Sequence, residues 1–434
     1  LIHQITAWEY QEYLALDRFQ KVEMPNAGTL HQFKPYLEIN LDCTDQELEE
    51  LSQKRCLALN IDELHFIQSY YRQAEVRQKR QKANLPLNPT DVELEILAQT
   101  WSEHCKHKIF GARITFNQNG NTRVIEDGLY RGQIKRVTKE LINDGLDWAI
   151  SVFSDNAGIV RFDPNVDLSI KVETHNSPSA LDPYGGAITG ILGVNRDILG
   201  CGMGHRPIAN TDIFCFASPN CSQLNDLNNT PLGLRPPRQV MEGVHRGVVD
   251  GGNKSGIPTV NGALFFNDSY AGKPLVFCGT VGVAPQEVDG KPTAIKRVAT
   301  GDLIYMVGGA IGADGIHGET MSSLELSADS PTSAVQIGDP LTQKRVSDFI
   351  INARDFDLFS GLTDNGAGGL SSSIGEMATL TGGATIDLSL APTKYPGLTP
   401  YELMISESQE RMSVAVTPEQ ASKFEALATP HGAS

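Results

Sequence analysis

The most chemically loaded stretch of the chain is Leu168-Ser169-Ile170-Lys171-Val172-Glu173-Thr174-His175-Asn176. Leu168, Ile170 and Val172 alternate with polar residues, the pattern of a strand with one buried face. The same period sends Lys171, Glu173 and His175 to the opposite side. A cation, a carboxylate and an imidazole in one column can hold an anion, a metal ion and a transferable proton. The plainer alternative is a solvated strand edge with ordinary ion pairs. Farther on, Asn195-Arg196-Asp197 offers a bidentate fork for phosphate and a hard oxygen ligand suited to Mg2+. Asp364 precedes a glycine run, Gly366-Ala367-Gly368-Gly369, whose backbone N–H groups can approach an anion closely. Glu173, Asp197 and Asp364 are therefore a candidate carboxylate cluster for one or more Mg2+. Taken singly, an acidic residue beside glycine is more often a turn residue.

Three further groups carry weaker signals. Ser102-Glu103-His104-Cys105-Lys106-His107-Lys108 gathers two histidines and two lysines near a helix C-terminus, where the macrodipole favours positive charge. His104 and His107 have the chemistry of zinc ligands, but no further cluster completes a site, and capping histidines are the alternative. Gly312 to Gly318 resembles a phosphate-cradling loop without being a P-loop or a dinucleotide fingerprint. Glu407-Ser408-Gln409-Glu410-Arg411 can present polar groups to a ligand or merely form a charged turn.

These residues need elements to position them. Residues 1–110 read mainly helical, with Asp45 to Leu51 and the charged run from Arg72 to Lys82 as solvated helix faces. A polar, proline-rich turn leads to Thr90-Asp91-Val92-Glu93, a capping box. A helix is expected from there through about Cys105, with Leu94, Leu97, Trp101 and His104 on one face. From about 110 to 300 the pattern is short strands joined by glycine-rich turns at Tyr184-Gly185-Gly186, Gly200 to Gly204 and Gly251-Gly252. Beyond that, strands at Leu303 to Val307 and Met412 to Val416 mix with helices at Pro340 to Ala353, Leu370 to Thr379 and Pro418 to Leu427. The expected fold class is α+β: a helical N-terminal region over 1–108, then two further domains over 109–300 and 301–434.

Composition narrows the function. With 36 basic against 52 acidic residues the formal net charge is −16, so no nucleic-acid partner is expected. Local Lys, Arg and N–H groups can still hold small phosphorylated anions. No stretch approaches the roughly 18 apolar residues of a membrane span, and no secretory pattern opens the chain, so no membrane partner is expected. The cysteines form no CxxC pair, which excludes a zinc ribbon and fits a reducing cytoplasm. The chain starts at Leu1 rather than Met and stops just after an amphipathic helical pattern, so it reads as part of a longer polypeptide.

Taken in order, Ser102-Glu103-His104-Cys105, Glu173-Thr174-His175-Asn176, Arg196-Asp197, Gln336-Ile337-Gly338-Asp339-Pro340, Thr363 to Leu370 and Ser406 to Arg411 resemble one family. It is the synthetase part of phosphoribosylformylglycinamidine synthase, within the aminoimidazole ribonucleotide synthetase-like superfamily. The resemblance implies that 109–300 is the N-terminal domain that builds a β-barrel with a partner copy, and that 301–434 is the α/β sandwich domain. It implies ATP-dependent amination of formylglycinamide ribonucleotide through an iminophosphate, with Mg2+ as cofactor and ammonia from glutamine, in de novo purine biosynthesis. By position, His175 is similar to the family's base and His104 to its other catalytic histidine. Lys171 and His107 match nucleotide contacts, and Glu173, Asp197 and Asp364 match metal ligands. Thr174, Asn176, Ser177, Arg196, Gln336, Glu407, Ser408 and Gln409 match substrate contacts. Ser177 and Ala313 depart from the residues usual at their positions, His or Phe and Arg. The implied partners are a second synthetase-like half and a glutaminase domain or subunit. A non-catalytic nucleotide-binding half, or a related synthetase or kinase of the same superfamily, is the alternative.

Overall fold

A computed structural model describes residues 36–220, 235–318, 320 and 335–433. The first layer is helical: α1 (Asp45–Lys54), α2 (Ile61–Arg72), α3 (Ala74–Lys82) and α4 (Asp91–Thr100). Three of them open on reciprocal capping boxes, from Thr44 with Glu47, Asn60 with Glu63 and Thr90 with Glu93. Leu48, Leu64, Ile67, Tyr71 and Leu94 close these helices around one core. The charged run is not wholly solvated. Arg80 is buried, and its guanidinium donates to Glu93 Oε1 at 2.6 Å and to the carbonyls of Pro86 and Asn88, pinning α3 to α4. The helix from Asp91 also ends before Cys105. Ser102 starts a separate helix, α5 (Glu103–Lys106), by accepting the Cys105 N–H at 3.2 Å.

A hairpin of β1 (Ile114–Gln118) and β2 (Asn121–Ile125), then α6 (Arg136–Asn143), lead into a second layer. There β3 (Ala149–Ser151), β4 (Gly158–Arg161), β5 (Val166–Thr174), β6 (Arg206–Phe216), β7 (Thr259–Phe266) and β8 (Leu275–Pro285) form one sheet. Their spatial order is β3-β4-β5-β8-β6-β7, antiparallel except for β6 with β7. Short α7 (Asn176–Leu181) and two long helices, α8 (Pro183–Leu199) and α9 (Pro237–Ser255), accompany it. Ile188, Ile191 and Leu192 of α8 pack with Val240, Val244 and Val248 of α9 and with Val276 of the sheet.

Two expectations fail in this layer. The glycine pairs at 185–186 and 251–252 are not turns but lie inside α8 and α9. The helices nearly touch there: a Cβ on Gly247 would stand 2.6 Å from Tyr184 O, and one on Gly243 2.6 Å from Pro183 Cβ. The sidedness of β5 is also inverted. Asp167 and Ser169 are buried and Lys171 turns toward Asp197 of α8, whereas Ile170 and Val172 are exposed on the opposite face. The polar column points inward because it lines a cleft.

After a small ladder of β9 (Glu287–Val288) and β10 (Lys291–Pro292), the last layer holds β11 (Leu303–Gly308), α10 (Pro340–Asp355) and β12 (Gly361–Asp364). It ends with α11 (Gly369–Thr381), α12 (Pro400–Ile405), β13 (Arg411–Val416) and α13 (Ala421–His431). β13 is the buried middle strand of an antiparallel sheet ordered β11-β13-β12. Val414 and Val416 pack on Phe349 of α10 and Phe424 of α13. On the other side, Met306 meets Leu370, Ile374 and Leu403. The whole is the mixed α+β architecture expected. Among the described residues no helix is long and apolar enough to cross a membrane.

Candidate active site

An open cleft of about 1040 Å³ separates the two sheet-bearing units. On one wall, β5 ends at Thr174, so His175 caps α7 instead of continuing the polar column. Its backbone N–H donates to Val276 O at 2.8 Å, and ring Nδ1 lies 2.6 Å from Gly186 O. A carbonyl oxygen only accepts, so Nδ1 carries the proton and Nε2 keeps a lone pair. Burial holds the His175 pKa below its ordinary value, against the pull of Glu173, and the ring is neutral at pH 7. Gly190 makes the room: a Cβ there would lie 2.9 Å from His175 Cβ. His104, on α5, lines the same cleft. The residue is exposed, yet the surrounding walls desolvate its ring and lower its pKa, again against Glu173.

The floor is one stripe of α8: Thr189, Gly193, Arg196 and Asp197. Arg196 Nε donates to Asp364 Oδ2 at 2.8 Å, and its Nη1 to Gln409 Oε1 at 2.5 Å. Lys171 Nζ stands 3.2 Å from Glu173 Oε1 and 3.4 Å from Asp197 Oδ2. Burial works against the lysine charge, but Asp197, Glu173 and Asp364 outweigh it and raise the Lys171 pKa. Burial, Glu173 and Asp364 together push the Asp197 carboxyl well above the usual range. On the far wall Gln336 donates to Glu407. Ser408 Oγ donates to Asp314 Oδ1 at 2.7 Å, which fixes the loop from Gly312. Ala313 gives its N–H to Tyr395 Oη at 2.7 Å.

Of the residues singled out in the sequence, the cleft brings together His104, Lys171, Glu173, Thr174, His175, Arg196, Asp197, Gln336, Asp364, Glu407 and Gln409. The other four lie off its wall. His107 ends α5 at a φ of 54° with its ring stacked toward Tyr130. Asn176 Oδ1 accepts the Val276 N–H at 2.9 Å, Ser177 is buried in α7, and Ser408 faces Asp314. Sequence reasoning missed Asp155, Asn156, Lys296 and Glu376, which also line the cleft. Lys296 Nζ pairs with Asp155 Oδ1 at 2.5 Å. Ser154-Asp155-Asn156 reads as an ordinary polar turn, and only tertiary contact reveals its place.

The three candidate metal carboxylates share the cleft but not as a closed ligand set. Among the described residues no three His, Cys, Asp or Glu side chains are grouped to hold a metal ion. Lys171 contacts both Glu173 and Asp197, and Asp364 is turned to Arg196. The donor chemistry nonetheless fits a hard cation: these are carboxylate oxygens, and their mutual repulsion already disfavours an ionised Asp197.

Comparison with known proteins now defines the class. Residues 154–284 match the AIR synthase related protein, N-terminal domain, and residues 299–434 its C-terminal domain. The two sheet-bearing units facing one polar cleft are thus the two-domain unit of that class. Residues 48–108 match the formylglycinamide ribonucleotide amidotransferase linker domain. The chain is 34% identical over 390 residues to phosphoribosylformylglycinamidine synthase subunit PurL of Thermoplasma volcanium, covering 89% of this chain and 45% of that one. It is 38% identical over 349 residues to the same subunit of Salinibacter ruber, covering 79% and 40%. It aligns with T. maritima PurL complexed with FGAR at a TM-score of 0.61 and 30% identity, over 82% of this chain and 49% of that one. For T. maritima PurL complexed with ATP the values are 0.57 and 29%, over 82% and 48%. The chain belongs to the phosphoribosylformylglycinamidine synthase family, as its synthetase part. It spans less than half the length of these relatives.

Proposed function

We propose that the cleft converts formylglycinamide ribonucleotide to formylglycinamidine ribonucleotide at the expense of ATP, in de novo purine biosynthesis. The observation that carries this reading is His175, its Nδ1 proton given to Gly186 O and its ring also hydrogen-bonded to the Gln336 side chain, in a cleft that also holds Arg196, Lys171 and the carboxylates of Glu173, Asp197 and Asp364. Relatives carrying the family name, and T. maritima PurL structures complexed with FGAR and with ATP, support the two substrates.

The chemistry follows from the groups. An amide oxygen is a poor leaving group, so the terminal phosphoryl of ATP is first transferred to it, giving an iminophosphate and ADP. Ammonia then attacks the amide carbon, phosphate departs with the oxygen, and His175 Nε2 takes the proton lost by the incoming nitrogen. His104 stabilises the phosphorylated or tetrahedral species, and Lys171 contacts the nucleotide; His107, turned to Tyr130, has no such role in this cleft. Glu173, Asp197 and Asp364 would hold Mg2+, which supplies charge neutralisation of the triphosphate. Thr174, Arg196, Gln336, Glu407 and Gln409 hold the ribonucleotide, while Asn176, Ser177 and Ser408 act only through the segments they fix. A glutaminase domain or subunit supplies the ammonia. A second synthetase-like half completes the nucleotide site, and the exposed Ile170 and Val172 on the open face of β5 support such a partner there. The free thiols at Cys43, Cys56, Cys105, Cys201, Cys215 and Cys278 fit a cytoplasmic protein.

The test is ADP release with Mg-ATP, ammonium chloride and formylglycinamide ribonucleotide, beside a parallel reaction offered the amidine product. Release that needs both the formylglycinamide nucleotide and ammonium supports the reading. Release only with the amidine moves the protein to the neighbouring synthetase. No release with either from the full-length protein sinks it.

A further inference from the structure

Asn156 lies on the turn between β3 and β4 and has none of the roles assigned above. Its side chain sits where the two units meet. Nδ2 donates to Asp364 Oδ1 at 2.7 Å and to Asp197 Oδ1 at 3.3 Å, while Oδ1 accepts from Thr363 Oγ1 at 3.3 Å and Lys296 Nζ at 3.4 Å. We propose that Asn156 is a positioning residue whose amide nitrogen sets the separation and orientation of the Asp197 and Asp364 carboxylates for the cation of a metal–nucleotide. This rests on the nucleotide-site reading above.

The division of labour among the oxygens supports it. Asp197 Oδ2 faces Lys171 and Asp364 Oδ2 faces Arg196, so the cations take one oxygen of each carboxylate. The two Oδ1 atoms share Asn156, whose NH2 has two protons, one for each. Two carboxylates from different units repel, and a neutral double donor draws them together without adding a third positive charge. The amide orientation follows from the same contacts. Reversed, its oxygen would face both carboxylates and its NH2 would face the Lys296 ammonium. The turn is also given room. A Cβ on Gly200, at the end of α8, would stand 3.1 Å from Asn156 Nδ2 and 3.3 Å from the Asp364 nitrogen.

The donors and the acceptor can be separated by substitution. Asn156→Asp keeps the size and the oxygen that accepts from Lys296 and Thr363 but removes both donors, whereas Asn156→Ala removes everything. In the full-length protein, binding of Mn2+ with a non-hydrolysable ATP analogue is measured by calorimetry, beside kcat and KM for ADP release and the melting temperature. The expectation is that both variants bind the Mn2+–nucleotide about tenfold more weakly or worse. Their kcat should fall in step, with KM for the formylglycinamide nucleotide within about twofold of wild type. An Asn156→Asp protein that binds like wild type would show a mere tether through the oxygen and overturn the proposal, as would two wild-type-like variants. Wild-type protein that binds no Mn2+–nucleotide would instead sink the nucleotide-site reading, and this proposal with it. If Asn156→Asp does not fold, Asn156→Ala decides alone: wild-type binding overturns the proposal.

Discussion

Arg196 and Asp364 lie 168 residues apart in the chain and meet at 2.8 Å, Nε to Oδ2. Arg196 belongs to α8 and Asp364 to the end of β12, so this contact ties one unit to the other at the floor of the cleft. Burial disfavours the guanidinium charge, yet Asp364, Glu410 and Asp197 raise the Arg196 pKa. Its other arm holds Gln409, so one side chain joins the floor to the far wall.

Replacing Arg196 by Met should therefore cost stability as well as binding. The methionine fills much of the volume but leaves the nearly buried Asp364 carboxylate without its cation. The expected loss is about 3 kcal/mol, the lower end for breaking a buried pair from one side. Chemical denaturation measures it. A loss below about 1 kcal/mol would show that water and Asn156 satisfy Asp364 without the arginine.

His175→Ala tests the base directly. Turnover should fall by about 10²–10⁴-fold, the usual worth of a positioned proton acceptor. Nucleotide binding should stay close to wild type, because the ring bonds Gly186 O and not the nucleotide-contacting lysine, while the melting temperature should fall modestly as Gly186 O loses its donor. Turnover within about threefold of wild type would remove His175 from that role.

His205 gives the protein an acid sensitivity outside the cleft. It is fully buried, and among the described residues neither ring nitrogen has a partner. Burial, with Arg354 nearby, lowers its pKa to about 4 from an ordinary 6.5. Between those values the unfolded chain holds the proton and the folded chain does not, so stability is present above about pH 6.5 and is lost as pH falls toward 4. The full loss is about 3 kcal/mol. Melting temperatures from pH 7 to 4 should fall less steeply for His205→Met than for wild type. Parallel slopes would mean that carboxylates elsewhere dominate acid unfolding.

Signals confined to a few neighbouring residues were the legible ones. The box from Thr90 to Glu93 and the proline start at Pro340 read correctly because a cap is satisfied within one turn of chain. Sidedness was not legible. Ile170 and Val172 pattern like core residues, yet the side of β5 that faces α8 is the polar one. Pattern reports that the two faces differ, not which is covered. The Gly185-Gly186 pair was misread because a glycine that spares a neighbouring helix and a glycine that makes a turn are the same letter. In the cleft, the motif residues came from within single segments, whereas Asn156 is joined to Asp364 across 208 residues and Lys296 to Asp155 across 141.

The glycines of α9 supply the last prediction. In an isolated helix, Gly247→Ala should stabilise by about 1 kcal/mol through propensity alone. Here the added Cβ would stand 2.6 Å from Tyr184 O and 3.0 Å from Ile188 N, backbone atoms of α8 that cannot turn aside as a flexible side chain does. Separating the helices would disturb the shared core of Ile188, Ile191, Val244 and Val248, so the net effect should be a destabilisation of about 1–3 kcal/mol. The same shift would move the α8 stripe that carries Arg196 and Asp197, and turnover should fall with it. By contrast Gly375→Ala, in α11 with open space at its Cβ, should be neutral or stabilising. Equal melting temperatures for the two variants would mean that α8 and α9 are not held as closely as their glycine contacts require.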